Sequence, residues 1–389
     1  MRALLLFLFC FLVDDVFCQK EYGSFSIQPG ATDLLRGNET NSLLRSLDGF
    51  LSLLRKPTEP NPYIDPDLRS YNPAGFNSFS AFLHSSSSDS SYKSVNVLAV
   101  LPIVKHQQYL IKLTCMSVKA LDKVRHDITY SLIVTKKQQD YFFSTALEYN
   151  TQHWNRKQVG TISYVFPNRL DMDSAKKMDL FNKEMARKFS TPVLNILYYK
   201  CYNPEQLFKI MGFDFIPNMY YSATGGIAES WKNALFAGNN SEWYPHEVLH
   251  FYTGKLYPGR NRIIDEGYAT YLGGSGQQSL NELAKLAKNY IDDVPAHTFL
   301  DDFINFKRIE GDIPLTYVVS ALICKDIEEK LGFVKIKELF GAGQSPEEYF
   351  THLEKVRGIA KAQFLNYAKS LINQEILKKK KKKLSLYFQ

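Results

Sequence analysis

The segment H-E-x-x-H at residues 246–250 is the feature that most constrains this chain. On an α-helix, positions i and i+4 lie on one face with their Cβ atoms about 5–6 Å apart, so a helix here points His246 and His250 at one metal ion. A catalytic zinc site takes three protein ligands and keeps one position open for water. Glu247 projects about a quarter turn away, where it can act as general base on that water without ligating the metal.

A second acidic segment, D-E-G-x-A-x-Y at residues 265–271, places Glu266 sixteen residues beyond His250. That distance suits a following helix, and two histidines with one glutamate are a known zinc set. The two segments resemble the gluzincin metallopeptidases, and within them the aminopeptidase N-like family, whose second helix carries N-E-G-x-A-x-Y. The resemblance implies that His246, His250 and Glu266 bind Zn²⁺ and that Glu247 is the general base. An Asp replaces the family's Asn, and the spacing is about three residues shorter.

A glycine-containing segment lies seventeen residues before the metal motif, counted from Glu229 to His246. It resembles the family's G-x-M-E-N strand, with Ala228 in place of Met and Ser230 in place of Asn. The resemblance implies that the backbone around Gly226 pairs with the peptide and that Glu229 holds the free amine of the substrate. The backbone role survives the replacements, because an extended peptide adds to a sheet edge through main-chain hydrogen bonds. The alternative is a glycine-marked turn that enters a strand.

A tyrosine is the candidate for stabilising the oxyanion. The pattern from Asp312 predicts a helix that runs to Leu331 and stops at Gly332, with Tyr317 in its first turn. In the resembled family a tyrosine near the start of the equivalent helix donates to the oxyanion, and a glycine follows it at about the same interval, fifteen residues here. Two alternatives stay open. Tyr317 is an ordinary amphipathic tyrosine, or His297 takes the role, as a histidine does in thermolysin-like gluzincins.

Ahead of these motifs, runs rich in β-branched and aromatic residues predict strands. Five such runs are separated by polar turn clusters: Val95–Val104, Tyr109–Thr114, Asp127–Val134, Tyr141–Tyr149 and Gly160–Phe166. They predict a β-rich module that either packs against the catalytic part or supplies its first strands. Asp173 and Ser174 then offer an N-cap for a helix whose apolar face runs from Met178 to Phe189, and Val193–Tyr199 returns to strand character.

These patterns divide the chain into five parts. A Ser-rich stretch at residues 85–91 marks a flexible link, and Asn41–Arg55 predicts an amphipathic helix. The parts are a signal peptide (1–18), an N-terminal segment without a clear fold that ends in the link (19–93), a β-rich module (94–170), the catalytic domain (171–376) and a basic tail (377–389). The expected fold class is α+β: a gluzincin-like module of small mixed sheet and helical lobe with zinc between, preceded by a β-rich segment.

The first residues have the pattern of an export signal. Arg2 is followed by eleven apolar residues, Ala3–Val13, whereas a membrane-spanning helix needs about 20. The run therefore predicts a cleaved signal peptide ending at Cys18, and a secreted or periplasmic protein. No later run is long and apolar enough to span a bilayer, so no integral membrane segment is expected.

Charge and cysteine content exclude other classes of partner and fold. The formal net charge of +7 comes mostly from Lys378–Lys383, a block typical of a solvated tail, with contact to acidic lipids or polymers as the alternative. No basic stripe interleaved with aromatics is present, so no nucleic-acid partner is expected. Cys115, Cys201 and Cys324 are too few for a disulfide framework. They are expected to be buried as small hydrophobes, with one disulfide as the alternative.

The sequence therefore predicts a secreted zinc metallopeptidase that acts on a peptide or protein substrate. The resemblance points to an aminopeptidase, and an endopeptidase stays open. The alternatives are a non-catalytic peptide-binding module that retains the fold, and a metal hydrolase that acts on a non-peptide amide. The enzyme is favoured over the binding module because His246, Glu247, His250 and Glu266 are all present.

Overall fold

The computed structural model of the chain describes residues 22–35, 37–56, 60–69, 76, 79, 80, 83, 92–119, 123–220, 222–229, 231–292 and 294–378. The predicted signal peptide, the Ser-rich link and the tail beyond Lys378 lie outside these residues. The architecture is mixed α and β with small mixed sheets. It divides into two compact units, within the ranges Met1–His153 plus Glu205–Tyr221 and Trp154–Pro204 plus Ser222–Gln389.

The first unit is built on a six-stranded sheet. Its strands are β1 (Ser26–Ile27), β2 (Tyr92–Val104), β3 (Gln108–Lys119), β4 (Lys123–Lys137), β5 (Asp140–Thr145) and β9 (Phe213–Phe215). Strands β2 to β5 form an antiparallel meander, while β1 runs parallel to β2 and β9 runs antiparallel to β4. Val97 pairs with Leu113, which pairs with Tyr130, and all three side chains are buried. One face of the meander is therefore core, as alternating patterns predict.

The helices of this unit include α1 (Gly37–Leu54), α2 (Pro66–Arg69), α3 (Leu147–Asn150) and, apart from its first residue, α5 (Pro204–Ile210). Helix α1 confirms the amphipathic helix expected over Asn41–Arg55, and its Phe50 stacks on Phe143 of β5 with ring centroids 4.6 Å apart. The strand expected over Tyr141–Tyr149 is too long. It ends at Thr145 because the following residues, L-E-Y-N, lack β-branched side chains and form a helical turn.

The second unit contains a five-stranded sheet with the order β10-β11-β8-β7-β6. Its strands are β6 (Asn155–Val159), β7 (Ile162–Phe166), β8 (Ile196–Cys201), β10 (Gly225–Glu229) and β11 (Ala234–Gly238). The three central strands are parallel, and the antiparallel strands β6 and β10 form the edges. The run predicted over Gly160–Phe166 belongs to this sheet. The boundary expected after residue 170 therefore differs from the observed one, which follows His153.

Helices make up most of the remaining second unit. They are α4 (Met172–Phe189), α6 (Pro245–Leu256), α7 (Arg262–Gly273), α8 (Leu280–Ile291), α9 (Ala296–Ile304), α10 (Leu315–Leu331), α11 (Phe333–Phe340), α12 (Pro346–Arg357) and α13 (Phe364–Leu377), with a short ribbon of β12 (Arg308–Ile309) and β13 (Ile313–Pro314) before α10. A continuous core joins α4, the sheet and these helices. Within the described residues, no helix combines the length and the apolar character needed to cross a membrane.

Two predicted helix starts need correction. Helix α4 is capped by Asp171, whose side chain accepts hydrogen bonds from the backbone N–H groups of Asp173 and Ser174, so the cap lies two residues before the predicted one. Helix α10 starts at Leu315 rather than at Asp312, because the residues just before it pair in the ribbon. Its stop at Gly332 is confirmed, and the glycine has a φ of +83° that other residues rarely adopt.

Helix α10 has a broad buried face. It includes Val319, Leu322, Ile323, Cys324 and Ile327. The three cysteines Cys115, Cys201 and Cys324 are buried free thiols, which agrees with their expected role as small hydrophobes. The alternative, a disulfide between two of them, is not observed.

Candidate metal centre

Helices α6 and α7 carry the two predicted motifs and lie against each other. Pro245 occupies the first position of α6, where its missing N–H has no intrahelical partner to lose. Asn261 caps α7, because its side chain accepts a hydrogen bond from the N–H of Ile263. A Cβ built on Gly273 would overlap the backbone of His246, so the close approach of the two helices requires glycine at this position.

Gly267, in the second motif, lies against a different helix. A Cβ at Gly267 would overlap Ser320 of α10. The small residue beside the second motif therefore serves the contact between α7 and α10, and Gly273 serves the contact between α7 and α6. Both contacts are close because these residues leave no side chain between the backbones.

The predicted ligand atoms converge. His246 Nε2 lies 3.3 Å from Glu266 Oε2, and His250 Nε2 lies 3.7 Å from the same oxygen. The ligand atoms of all three residues lie within 4.8 Å of one another, and in the described part of the chain this is the one group of three or more such residues that can hold a metal ion. His246 is buried, and the other two are partly buried.

Backbone and carboxylate partners orient the two imidazoles. His246 Nδ1 lies 3.0 Å from the carbonyl oxygen of Gly274, and His250 Nδ1 lies 3.0 Å from Asp265 Oδ2. A carbonyl or carboxylate oxygen only accepts, so each Nδ1 carries a proton and each Nε2 faces Glu266. An Nε2 beside a carboxylate oxygen is stabilised when a proton or a metal ion lies between the two atoms. Ligating histidines in metalloproteins are commonly held by this kind of second hydrogen bond.

Asp265 is a further residue of the cluster, which sequence reasoning treated only as a departure from the resembled motif. Besides His250, its carboxylate accepts a 2.6 Å hydrogen bond from Thr253 Oγ1 and forms a 2.7 Å ion pair with Arg260. The sequence contained a signal for this role, since Asp265 directly precedes Glu266, the predicted ligand, and a carboxylate there can hydrogen-bond to a histidine. Its partner could not be named, because the pairing depends on how α6 and α7 cross.

The electrostatics of the cluster favour a cation. Burial by itself lowers the pKa of His250, but the hydrogen bond and charge of Asp265 and the charges of Glu266 and Glu247 raise it to about 9. Burial by itself raises the pKa of Asp265 and of Glu266. Hydrogen bonds and charges from the histidines lower these pKa values by more than burial raises them, so both carboxyls have a pKa below the ordinary value. Both carboxyls are thus ionised at neutral pH, and positive charge between them is stabilised.

Tyr317 lies in this cluster, and His297 does not belong to it. The Tyr317 ring is 5.9 Å from the His246 ring, centroid to centroid, and its hydroxyl hydrogen-bonds to Glu266. Burial, together with the charge of Glu266, raises the pKa of Tyr317 well above its usual range, so the phenol stays protonated and can donate. His297 is exposed in the first turn of α9.

The edge strand β10 borders the candidate base. A Cβ built on Gly226 would overlap the ring of Tyr244 and lie 3.0 Å from Cγ of Glu247, so this strand position tolerates only glycine. Alternation along a strand places Glu229 on the opposite face from Gly226. The segment forms a strand, Gly225–Glu229, after a bend at residues 223–224, and both interpretations of the segment include this strand. The amine-binding role of Glu229 stays a prediction, and Ser230 lies outside the described residues.

Tyr244 was missed by sequence reasoning. It directly precedes the helix as its N-cap residue, and it packs on the strand beside Glu247. Burial raises the pKa of Tyr244 well above its usual range, and the charge of Glu247 adds to the shift, so this phenol is also neutral and able to donate. Comparison of the whole sequence with protein-family models and with curated proteins found no match, so the site's own geometry is the basis for a function.

Proposed function

We propose that this protein is a zinc-dependent metallopeptidase. The observation that carries the proposal is the convergence of His246, His250 and Glu266 on one point beside Glu247, a carboxylate that takes no part in the ligand set. An open strand edge borders the same point. The combination supplies a metal position, a base and a surface for an extended chain within one unit.

The donor set fits zinc. Two imidazole nitrogens and one carboxylate oxygen are a zinc set that leaves a fourth position for water or substrate. The hydrogen bonds from each Nδ1 to Gly274 and Asp265 fix the tautomer that a metal ligand needs. His246, His250 and Glu266 would hold the ion. When bound, the ion would polarise a scissile carbonyl and acidify the attacking water.

The chain's own residues supply the remaining chemistry. Glu247 accepts the proton of the attacking water and returns it to the amine nitrogen as the peptide bond breaks. Tyr317 donates its hydroxyl proton in a hydrogen bond to the negative oxygen that develops on the carbonyl, in a buried setting where such bonds are strong. Asp265 holds His250 in place throughout.

Strand β10 offers a surface for the substrate. Within the described residues its outer edge pairs with no other strand, so an extended peptide can add to this edge through main-chain hydrogen bonds. Gly226 brings that backbone close to Glu247. A peptide added to this edge would therefore run past the base, which is the arrangement that peptide hydrolysis requires.

Metal content and turnover of a mixed peptide library test the proposal together. Purified protein should contain about one zinc per chain and cleave peptides, and the matched variant Glu247→Gln should keep the zinc and lose the cleavage. Zinc with peptide binding but no turnover would identify a binding module. Turnover restricted to non-peptide amides would identify a different metal hydrolase, and absence of bound metal from a folded protein would end the proposal.

The aminopeptidase mode has its own test. If Glu229 holds a free amine, peptides with a free N-terminus should be cleaved and N-acetylated peptides spared, and Glu229→Ala should remove the difference. Equal cleavage of blocked and free peptides by the unaltered protein would make the enzyme an endopeptidase. Gly226 and Glu229 face opposite sides of β10, and Gly226 lies beside Glu247. The comparison of blocked and free peptides therefore tests whether Glu229 can bind the amine of a substrate that lies next to the base.

A further inference from the structure

A row of side chains leads from the proposed metal-binding cluster to the surface of the second unit. Tyr317 hydrogen-bonds to Glu266 of the cluster. The Phe306 ring stands edge-on to the Tyr317 ring, with 6.3 Å between the two centroids. Arg262 Cζ lies over the Phe306 ring, 4.4 Å from its centroid. Phe306 is partly buried and Arg262 is exposed, so the row ends in a positive charge at the surface.

The charge of Arg262 is not matched by a neighbouring carboxylate. In the described part of the chain no Asp or Glu forms an ion pair with Arg262, whereas Arg260 and Arg308 each pair with an aspartate. Arg262 is also the first residue of α7, where the positive end of the helix dipole opposes a cation. An anion brought by a ligand would therefore be stabilised here.

The contact with Phe306 prepares the guanidinium to bind such an anion. An aromatic ring beneath a guanidinium stabilises its charge. The ring supplies no oxygen acceptor for the five N–H donors of Arg262, which can bind a carboxylate through two parallel hydrogen bonds. Because the ring contact restricts the long arginine side chain before a ligand arrives, less of its conformational freedom is lost on binding.

The backbone holds Phe306 in an unusual conformation. Its φ is +56°, in the left-handed region that bulky residues rarely adopt. The N–H of Phe306 donates to the carbonyl of Phe303 at 3.3 Å, and the N–H of the next residue donates to the carbonyl of Asp302 at 2.9 Å. The carbonyl of Lys307 accepts from the first N–H of α10 at 2.9 Å. These bonds fix the turn against the helix that carries Tyr317.

Arg262 lies close to the position where we propose that a peptide is cut. It precedes Glu266 by four residues on α7, so the two Cβ atoms lie about 5–6 Å apart on one helix face. Burial raises the pKa of Tyr317 and the charge of Arg262 opposes that rise, so the guanidinium acts on the region of the Tyr317 hydroxyl. An extended peptide advances about 3.3 Å per residue, so a group bound by Arg262 belongs to a residue within about three positions of the cleaved bond.

We propose that Arg262, held on Phe306, binds a carboxylate of the peptide substrate. In an unmodified peptide the anionic groups are carboxylates, and they come from two sources, the side chains of Asp and Glu and the free C-terminus. The inference rests on the proposed function for the peptide and its cleavage, while the carboxylate site itself stands on the unmatched charge of Arg262 and its place beside the cluster.

Direct binding is the first test. It uses calorimetry of the zinc-loaded Glu247→Gln protein, so that no turnover intervenes, with peptides that differ only in one Glu or Gln and in a free or amidated C-terminus. A peptide with the recognised carboxylate should bind about tenfold or more tightly than its neutral counterpart, and added salt should shrink the difference. Equal binding of all the peptides by the folded protein would overturn the proposal.

Variants of the same protein assign the preference to one side chain. Adding Arg262→Gln should abolish the preference. Arg262→Glu should transfer it to peptides with Lys, and the helix dipole favours an acidic residue at this position, so the fold should be kept. Arg187→Gln changes an exposed arginine on α4 and is the matched control, which should keep the preference. A preference that persists in Arg262→Gln would overturn the proposal.

The peptide set also identifies the source of the carboxylate. Loss of the preference on amidation assigns it to the C-terminus, and loss on replacement of Glu by Gln assigns it to a side chain. Mass spectrometry of the products formed by the unaltered protein gives the cleaved bond, which should lie within about three residues of that carboxylate. A preference set by a carboxylate much farther along the peptide would contradict the placement of Arg262.

Turnover separates this proposal from the one on which it rests. Arg262→Gln should raise KM for the preferred peptides about tenfold and leave kcat unchanged, because the ion pair is present in the ground state and the transition state alike. An equal loss of kcat for acidic and neutral peptides would show that Arg262 acts through Tyr317, and would overturn the carboxylate site. Arg262-dependent binding without cleavage of any peptide would refute the peptidase and keep the carboxylate site. Cleavage and binding that ignore charge would do the reverse.

Discussion

The second unit contains two groups of buried charged residues, and they differ in how far their charges are balanced. Lys200 and Glu242 form an ion pair of 2.7 Å, with side chains only 7% and 4% exposed. The remaining hydrogen bonds of the pair go to backbone, from Lys200 to the carbonyl of Arg169 and from the N–H of Asp171 to Glu242. The charges cancel and the polar atoms are paired, so this pair needs nothing further.

The proposed metal-binding cluster is built differently. Three carboxylates, those of Glu247, Asp265 and Glu266, lie around His246 and His250, and Arg260 forms an ion pair with Asp265. Burial lowers the pKa of His250, but Asp265, Glu266 and Glu247 raise it to about 9, so without a metal ion a protonated His250 balances part of this charge. The comparison teaches that burial of charge alone does not mark a functional site. The proposed site rests on the convergence of its ligand atoms.

The largest expected effect concerns the base and the third ligand. Glu247→Gln should lower kcat by about 10²–10⁴-fold, because the proton transfer is lost while the ligands remain. Glu266→Ala should lose the metal as well as the activity. Elemental analysis and kinetics of the two purified variants decide this. Full zinc in Glu266→Ala would remove Glu266 from the ligand set and weaken the contrast between the two groups of charges.

Breaking the balanced pair should affect stability instead of chemistry. Lys200→Met leaves the buried Glu242 unpaired and should lower the free energy of unfolding by about 3–5 kcal/mol. The double variant Lys200→Met/Glu242→Met should recover at least half of the loss, since no charge stays buried. Denaturant unfolding measures the stability, and metal content per folded chain should be unchanged. Loss of zinc from folded Lys200→Met would show that the pair is part of the metal site.

Tyr317→Phe should keep the fold and the zinc and lose about 10²–10³ in turnover, or roughly 2.7–4 kcal/mol. The loss should appear in kcat and in kcat/KM together, because the hydrogen bond to the oxyanion exists only in the transition state. His297→Ala is the control and should behave as the unaltered protein does. Activity of Tyr317→Phe within a few-fold of the unaltered enzyme would return this tyrosine to a packing role.

The smallest expected effect is at Asp265. Asp265→Asn keeps the size of the side chain and a weaker acceptor for His250, and should lower zinc affinity about 10–100-fold. Competition with a chelator gives the affinity. Thr253→Val, which removes one hydrogen bond to Asp265, should have a smaller effect in the same direction. Unchanged affinity in Asp265→Asn would mean that the orientation of His250 depends on the packing of α6 alone.

Much of the local structure could be predicted because it depends on short spacing. Helix periodicity turns the interval between His246 and His250 into proximity, and it also yields the buried face of α10. Local patterns placed the ends of some helices wrongly. At the start of α4, for example, three neighbouring polar residues compete to cap the helix. The gluzincin module itself stays a prediction, since the observed architecture establishes only a mixed α and β fold with small sheets.

The sequence by itself determined which residues are able to bind a metal ion, because the motif places two imidazoles on one helix face and supplies a glutamate nearby. Only the tertiary structure decided what surrounds them: Gly274 and Asp265 behind the imidazoles, Tyr244 beside the base, and Phe306 between Tyr317 and Arg262. These contacts join residues as much as 28 positions apart, from His246 to Gly274. Which of many distant partners meet depends on how the helices and the sheet pack, and no local periodicity encodes that choice.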